Sequence, residues 1–522
     1  MGTIKSRHPT QRRPLRRISQ GFNTLRRRWQ HFLPFFLVFG AVALAWRYND
    51  TALRWFAALF TARYYRFFVN LYAYWRYKPS PIPDKPTLFA KDVTLILPTV
   101  SVSNNPDFEE TVTTFLVNKP ARFIIVMDTY ETLLLAIEKY RDICAKIQAG
   151  SSPFLSGLGP MDVSCVRASF LHTGHADKRT QMARAIPLVQ TKLTVFLDDH
   201  VFVKPKFLQS VLAAFEDPHI GICGTKKSVR RKVFRTGSIL RDAWLSVWNF
   251  LGIAYLVRHS LENQLMNSMD GGVAVVSGRT MAIRTALIKT NKFLKRFVNQ
   301  KPFLGSGRVK IGDDNFITMW VVKQNYGIKM QCTEDATIET TLGEPFKFFW
   351  QCLRWRRTTY QANIEQLLTN RKVWKRWPWT VWMALIPALF NLALFWDAWM
   401  VYAFTQTTVY SRTGVSGLIT WIYLTKVVKL LPHFLNHPWD FVLFFFPLPV
   451  HLCWAYIHSF ISIYSIFTIW NQRWEGRCLD NATRTASAVR RRRTPRRMGM
   501  CSGRARRQGS RRWRYYRPQS FV

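Results

Sequence analysis

The sequence predicts an α/β domain with a mostly parallel sheet, set between two hydrophobic regions of membrane type. Three observations predict it. Short apolar runs alternate with helical patterns through the middle of the chain, as in a sheet covered by helices on both faces. Apolar, aromatic-rich stretches precede and follow that middle. Across 522 residues, hydrophobic residues make up 48%, aromatics 15% and charged residues only 20%, a balance suited to a protein that is part core and part membrane.

In chain order, a basic arm over residues 1–30 comes first and a basic tail over 471–522 comes last. With 75 Lys+Arg against 30 Asp+Glu the formal net charge is +45, which attracts polyanions. Basic runs beside apolar segments are those of the positive-inside rule and of contact with anionic headgroups. A lipid bilayer is therefore the expected partner of both arms, and nucleic acid is not. "HFLPFFLVFGAVALAW" (31–46) is short for a span of roughly 20 residues. "TALRWFAALFTARYYRFFVNLYAYW" (51–75) carries Arg54, Arg63 and Arg66 among aromatics; it either spans or lies in the interface. Residues 31–75 are thus the N-terminal transmembrane or interfacial helices. Asn49, between the two segments, and Asn481 stand in glycosylation sequons.

Residues 90–345 read as the folded catalytic domain. "DVTLILPTV" (92–100), "ARFIIVMD" (121–128), "LTVFLDDHVFV" (193–203) and "GVAVVSGRTMAIR" (272–284) are strands, and "ETLLLAIEKYRDICAKIQ" (131–148) is a helix. Ligands of such sheets sit at the carboxyl ends of the strands, where Asp128, Asp198 and Asp199 fall. The eight cysteines form no Cys-x-x-Cys pair, which argues against a zinc site or a disulfide scaffold and fits a reducing, cytosolic compartment. Residues 346–377 mix aromatics with Arg at helical spacing and read as helices along the membrane face. Residues 378–470 hold apolar segments at 379–404, 417–431 and 439–470. The last contains Pro447 and Pro449 and is either two segments or a span with a re-entrant piece. If both basic arms are cytosolic the number of spans is even, and two plus four satisfies this.

The chemistry is carried by four features in a fixed order. Asp128 follows a buried strand. "GHADKRTQM" (174–182) places Lys178 and Arg179 at a helix start, an arrangement that favours an anion such as a diphosphate. "FLDDH" (196–200) offers Asp198, Asp199 and His200 to Mn²⁺ or Mg²⁺, metals usually shared with substrate phosphates. "QCLRW" (351–355) puts Gln351, Arg354 and Trp355 on one helix face at i, i+3 and i+4. An Arg there suits a diphosphate and an indole suits a sugar ring.

This order, with a Gly-Asp-Asp before Gln-x-x-Arg-Trp and apolar segments after it, resembles the membrane-embedded family 2 glycosyltransferases, which include the cellulose, chitin and hyaluronan synthases. It looks most similar to hyaluronan synthase and to fungal type 2 glycosyltransferases related to capsular polysaccharide synthase. "WNQRWEGR" (470–477) looks like the family's Trp-Gly-Thr-Arg ending. The resemblance implies a GT-A nucleotide-sugar-binding domain in the cytosol, inserted between transmembrane helices of a multi-pass plasma-membrane protein. It implies processive, inverting transfer from a UDP-sugar to a growing polysaccharide acceptor, with export of the polymer to the cell surface, cell wall or matrix. A non-processive transferase acting on a lipid, similar to ceramide glucosyltransferase, is the alternative. By the resemblance, Asp128 and Lys178 contact UDP, Arg354 the diphosphate, Trp355 the acceptor sugar, and Ser277 and Gly278 form an acceptor-side segment. The family's Asp-x-Asp is not intact: drawn either way, one expected carboxylate is missing, so the metal falls to some combination of Asp198, Asp199 and His200.

The transfer also needs a base for the acceptor hydroxyl. Asp313 and Asp314 of "KIGDDNFITMW" begin a helix that stops at Gly327, in a glycine-hinged loop. Asp335 of "CTEDATIET" lies between two strand-like runs and reads as a turn acid. Asp314 leaves room for a helix and a strand pair before Gln351, as in the family, and is the expected base.

Overall fold

The computed structural model describes residues 29–471 except 101, 156, 304–308, 310 and 446–449. The basic arm up to residue 28, the basic tail, Asn481 and most of the 470–477 motif lie outside the described residues.

Two helices open the chain, α1 (Leu33–Ala45) and α2 (Thr51–Arg76). The central domain then runs β1 (Val93–Pro98), α3 (Phe108–Leu116), β2 (Arg122–Met127), α4 (Tyr130–Gln148), β3 (Arg167–His172), α5 (Lys178–Ala185), β4 (Leu193–Leu197), β5 (Val201–Phe202), β6 (Ile220–Thr225) and β7 (Lys227–Val229). A long helix α6 (Ile239–Asp270) follows, then β8 (Thr280–Arg284), α7 (Asp313–Lys323), β9 (Gly327–Gln331) and β10 (Ile338–Thr340). Helix α8 (Lys347–Thr369) leads into the C-terminal helices, including α9 (Ala393–Thr405), α10 (Arg412–Val428) and α11 (Val450–Phe467).

The main sheet has the order β3-β2-β1-β4-β8-β6-β9. Alternation along each strand sends its side chains to opposite faces. Leu95, Leu97, Phe123 and Ile125 join one core; Ile96, Ile124, Val126 and Phe196 join the other. Both faces are covered, as the near-continuous apolar runs imply. The sheet is mixed rather than purely parallel, because β8 runs antiparallel to β4 and β6. Only the second half of the run expected as a strand over 272–284 is extended. The chain therefore enters β8 from the carboxyl edge of β4, where the Asp198 N–H donates to the Arg279 carbonyl at 2.9 Å. That entry sets Ser277, Gly278 and Arg279 beside the aspartates. A small sheet, β5-β10-β7, lies in the same domain.

Helix α6 is the longest element that the apolar pattern did not announce. It is 32 residues long and ends at Gly271, whose φ of +78° is the left-handed conformation of a helix C-terminus. It packs on α2 through Leu265 and Met266, on α11 through Trp248, and beside Val427 and Leu430 through Phe250 and Ala254. It thus joins the sheet domain to the terminal helices.

Among the described residues no single helix is long and apolar enough to cross a membrane. The expected span over 379–404 is instead Pro378–Leu389 and α9, which together have that length and composition but bend by 92°. Pro387 removes a backbone donor just before the break. The apolar region over 439–470 holds two helices, Pro438–Phe445 and α11. Polar contacts bind these helices: Asp50 caps α2 and accepts from the Thr408 N–H at 2.7 Å, while Asp397 pairs with Arg63 at 3.3 Å and Lys426 at 2.6 Å.

Candidate active site

The sheet's carboxyl edge gathers the acidic motifs. Asp128 directly follows β2, where its Oδ1 accepts from the Thr129 N–H and the Thr132 hydroxyl, both at 2.9 Å. It holds the start of α4 as well as facing the sheet edge.

Lys178 begins α5, and Asp177 caps that helix by accepting from the N–H groups of Arg179 and Thr180 at 3.0 and 3.2 Å. The helix terminus is therefore closed by its own carboxylate, contrary to the expectation of an open anion site there. Lys178 itself reaches across the edge: its Nζ lies 2.8 Å from Asp198 Oδ1, 3.1 Å from Asp313 Oδ2 and 3.3 Å from the Gly278 carbonyl. Burial opposes the charge on this ammonium, but Asp198, Asp313 and Asp314 outweigh it and raise its pKa above the lysine range. Burial likewise works against the Asp198 carboxylate, and Lys178 and His200 reverse the effect and lower it.

Arg179 is fully buried and turns elsewhere. Its guanidinium donates to the carbonyls of Phe297, Ile311 and Gly312 and to Gln300 Oε1, at 2.8 to 3.0 Å. The donor role expected of it is thus corrected: it braces the segment that carries Gly312-Asp313-Asp314. Adjacent helical residues diverge by about 100°, so Lys178 and Arg179 cannot serve one ligand together.

The set Asp198, Asp199 and His200 also separates. Asp198 faces Lys178, whereas Asp199 Oδ2 accepts from the Thr99 hydroxyl at 2.6 Å, just past β1, and its Oδ1 lies 3.1 Å from His200 Nδ1. Successive residues leaving a strand point opposite ways. Among the described residues no three His, Cys, Asp or Glu side chains gather as a metal site. A hard dication shared with a diphosphate needs only one or two protein carboxylates. The residues fit such an ion arriving with a nucleotide, and Asp198 is the carboxylate that would meet it.

Gly312, at φ +73°, turns the chain into α7, and Asp313 and Asp314 occupy its first turn. Asp314 Oδ2 accepts from the Gly278 N–H at 3.3 Å. A Cβ on Gly278 would meet Asp314 Cβ at 3.3 Å and Oδ2 at 3.4 Å, so a glycine lets the two loops close. Burial first, and then the charge of Asp313, raise the pKa of Asp314, against the pull of Lys178.

On α8, Arg354 feels the charges of Asp314, Arg279, Asp198 and Asp313, and burial holds its pKa below the usual arginine range. Trp355 stacks on Tyr255 with centroids 5.2 Å apart, and the Arg279 guanidinium lies 5.4 Å from its ring. Gln351, one turn earlier, is half-buried.

Asp314, Ser277, Arg279 and Trp355 line the mouth of a cavity of about 290 Å³ that continues between α2, α6 and the C-terminal helices. Gln351 and Asp335 do not line it. Asp335 lies in the turn between β9 and β10, and its neighbour Glu334 pairs with Lys204 at the surface.

Sequence reasoning missed Arg279, although it lies within the quoted run 272–284; an arginine opening an apolar strand was the available signal. It also missed Lys227 and His259, whose nitrogens lie 3.0 Å apart in the cavity wall. Burial, then Arg279, push Lys227 down to about 7, and burial with Lys227 takes His259 well below its ordinary value.

The family model described as "Glycosyltransferase like family 2" matches residues 156–358, from β3 through Gln351-x-x-Arg354-Trp355. A type 2 glycosyltransferase of Zymoseptoria tritici is 33% identical over 431 residues, covering 81% of this chain and 83% of its own. One of Pyricularia oryzae is 32% identical over 445 residues, covering 83% and 85%. Among solved structures, the mannosyltransferase PcManGT of Pyrobaculum calidifontis, in complex with GDP-Man and Mn²⁺, superposes with a TM-score of 0.43 at 14% identity, over 81% of this chain and 99% of that one.

Proposed function

The chain belongs to the type 2 glycosyltransferases, with a GT-A-like α/β fold, and from that premise we propose that it polymerises a UDP-linked sugar at a membrane. The reading rests on one observation: Lys178, Asp198, Arg354 and Asp314 converge where the sheet edge meets a cavity between helices.

In this reading Asp128 receives the nucleoside, and Lys178 and Arg354 oppose the diphosphate charge. Mg²⁺ or Mn²⁺, held by Asp198, would neutralise charge on the leaving diphosphate. The acceptor sugar lies against Trp355 with its hydroxyl towards Asp314. That oxygen bonds to the anomeric carbon as the bond to UDP breaks, so configuration inverts. UDP leaves with the bonding electrons, and the hydroxyl proton passes to the Asp314 carboxylate. A carboxylate raised above its ordinary range is a stronger base than a solvent-exposed one. The lengthened chain moves on through the cavity, out between α2, α6 and the C-terminal helices. The basic arms keep the catalytic domain on the cytosolic side of the plasma membrane.

The test is UDP release by the purified full-length protein in detergent, with UDP-glucose, UDP-N-acetylglucosamine and UDP-glucuronate offered singly and in pairs. Asp314→Asn is expected to lower turnover by about 10²–10⁴-fold while UDP still binds. A variant that keeps full turnover overturns the assignment of the base.

A further inference from the structure

The far wall of the cavity carries charge that its own residues do not balance. Arg66 on α2, Arg258 on α6 and Lys429 just past α10 all line it, and none of the three makes an ion pair among the described residues. The acid whose charge reaches Arg66 and Lys429 is Glu262, and it forms a salt bridge with neither. The buried Nε atoms of Arg66 and Arg258 have no hydrogen-bond partner. Arg63 and Lys426, also in the wall, share Asp397 and so add no further acid. All three are half-buried; partly desolvated cations without ion pairs carry a cost that a bound anion relieves.

We infer that this wall is a subsite for an anionic group, a carboxylate or a phosphate, on the acceptor. The subsite lies on the acceptor side because no residue of β1, β2, β4 or α5 lines the cavity. A diphosphate at the sheet edge is met by Lys178 and Arg354 instead. The volume of about 290 Å³ stands at the small end of ligand sites, roughly 300–1,000 Å³, enough for a short stretch of acceptor with its charge at the inner end. This inference rests on the glycosyltransferase reading of Asp314 and Trp355, and it deepens that reading by naming the acceptor's charge.

Calorimetry on the full-length protein in detergent tests it, using two matched pairs of probes. One pair is a glucose disaccharide and its glucuronate-terminated counterpart; the other is farnesol and farnesyl phosphate. The anionic member of at least one pair is expected to bind about tenfold more tightly than its neutral partner. The pair that shows the gap tells whether the charge belongs to a sugar carboxylate or a lipid phosphate. In Arg258→Gln and Lys429→Gln the gap closes to about twofold or less, and Arg258→Lys keeps most of it. Glu262→Gln, which removes the competing acid, widens it, so the inference stays testable should the glutamine variants at the cations fail to fold. Equal binding of charged and neutral members in both pairs overturns the subsite. UDP release is read separately: a protein that binds the anion but releases no UDP from any donor upholds the subsite and overturns the functional reading.

Discussion

The two ends of the cavity handle charge in opposite ways. At the sheet edge cations and acids interleave: Lys178 bridges Asp198 and Asp313, and Arg354 lies in the field of Asp314 and Asp198. Between the helices Arg66, Arg258 and Lys429 stand without ion pairs among the described residues, with Glu262 near them and Asp397 taken by Arg63 and Lys426. A closed network of charges is rigid and pre-organised, and suits a site where charge must develop at a fixed point. An open excess of one sign is incomplete until a ligand enters it. On the function proposed above, the sheet edge carries the chemistry and the helices select the ligand.

Opening the closed network is the largest way to break that contrast. Lys178→Met removes the cation shared by Asp198 and Asp313 and is expected to cost about 10²–10³-fold in turnover. It should also move the pH profile. With Asp314 as the proposed base, the ionised form is the active one and activity is expected to rise as pH climbs through the Asp314 pKa, which burial and Asp313 already raise. Loss of the Lys178 charge raises it further, and the acidic limb of kcat/KM shifts to higher pH. Asp313→Asn removes a like charge and shifts the same limb to lower pH. Limbs that move together, or not at all, would show that Asp314 is not the titrating base.

A smaller effect separates bracing from chemistry at adjacent positions. Arg179→Ala leaves the carbonyls of Phe297, Ile311 and Gly312 without their donor and is expected to destabilise the fold by about 3 kcal/mol. Thermal unfolding checks this. A variant that melts like the wild type but loses nucleotide affinity would return Arg179 to the donor site.

The same contrast explains what the sequence disclosed. Strand ends were legible because an apolar run closing on an acid is a local signal, and the strands themselves bring Asp128 and Asp198 to one edge. Gly312 announced the start of α7 because its left-handed turn is local too. The direction of β8 was not legible, since it depends on which edge the chain re-enters after α6. Helix α6 stayed hidden because Arg258, His259 and Glu262 interrupt its apolar pattern to face the cavity. The bend between Pro378–Leu389 and α9 was equally hidden, because composition reports a continuous apolar stretch whatever its path. Of the residues that sequence reasoning missed, His259 lies on the cavity's helical wall, while Lys227 and Arg279 reach the cavity from the starts of β7 and β8.

The smallest expected effect tests the other acidic triplet, Thr333-Glu334-Asp335. It has the composition of a catalytic loop, yet it forms the turn between β9 and β10. Thr333 helps hold that turn: its hydroxyl donates to, or accepts from, Ser210 at 2.7 Å, and its oxygen also receives the Ala336 N–H at 3.2 Å, while the Glu334 carbonyl accepts from the Thr337 N–H at 3.1 Å. Glu334 is spent on Lys204 at the surface, and a pair so exposed contributes little. Asp335 neither lines the cavity nor shares a charge with Lys178. Asp335→Asn is therefore expected to leave UDP release within about twofold of the wild type. A loss near that of Asp314→Asn would mean that the base reaches the acceptor from the turn, and the separation of a chemical edge from a selecting wall would fail with it. Unchanged release would leave the raised carboxylate at the start of α7 as the acid the acceptor meets.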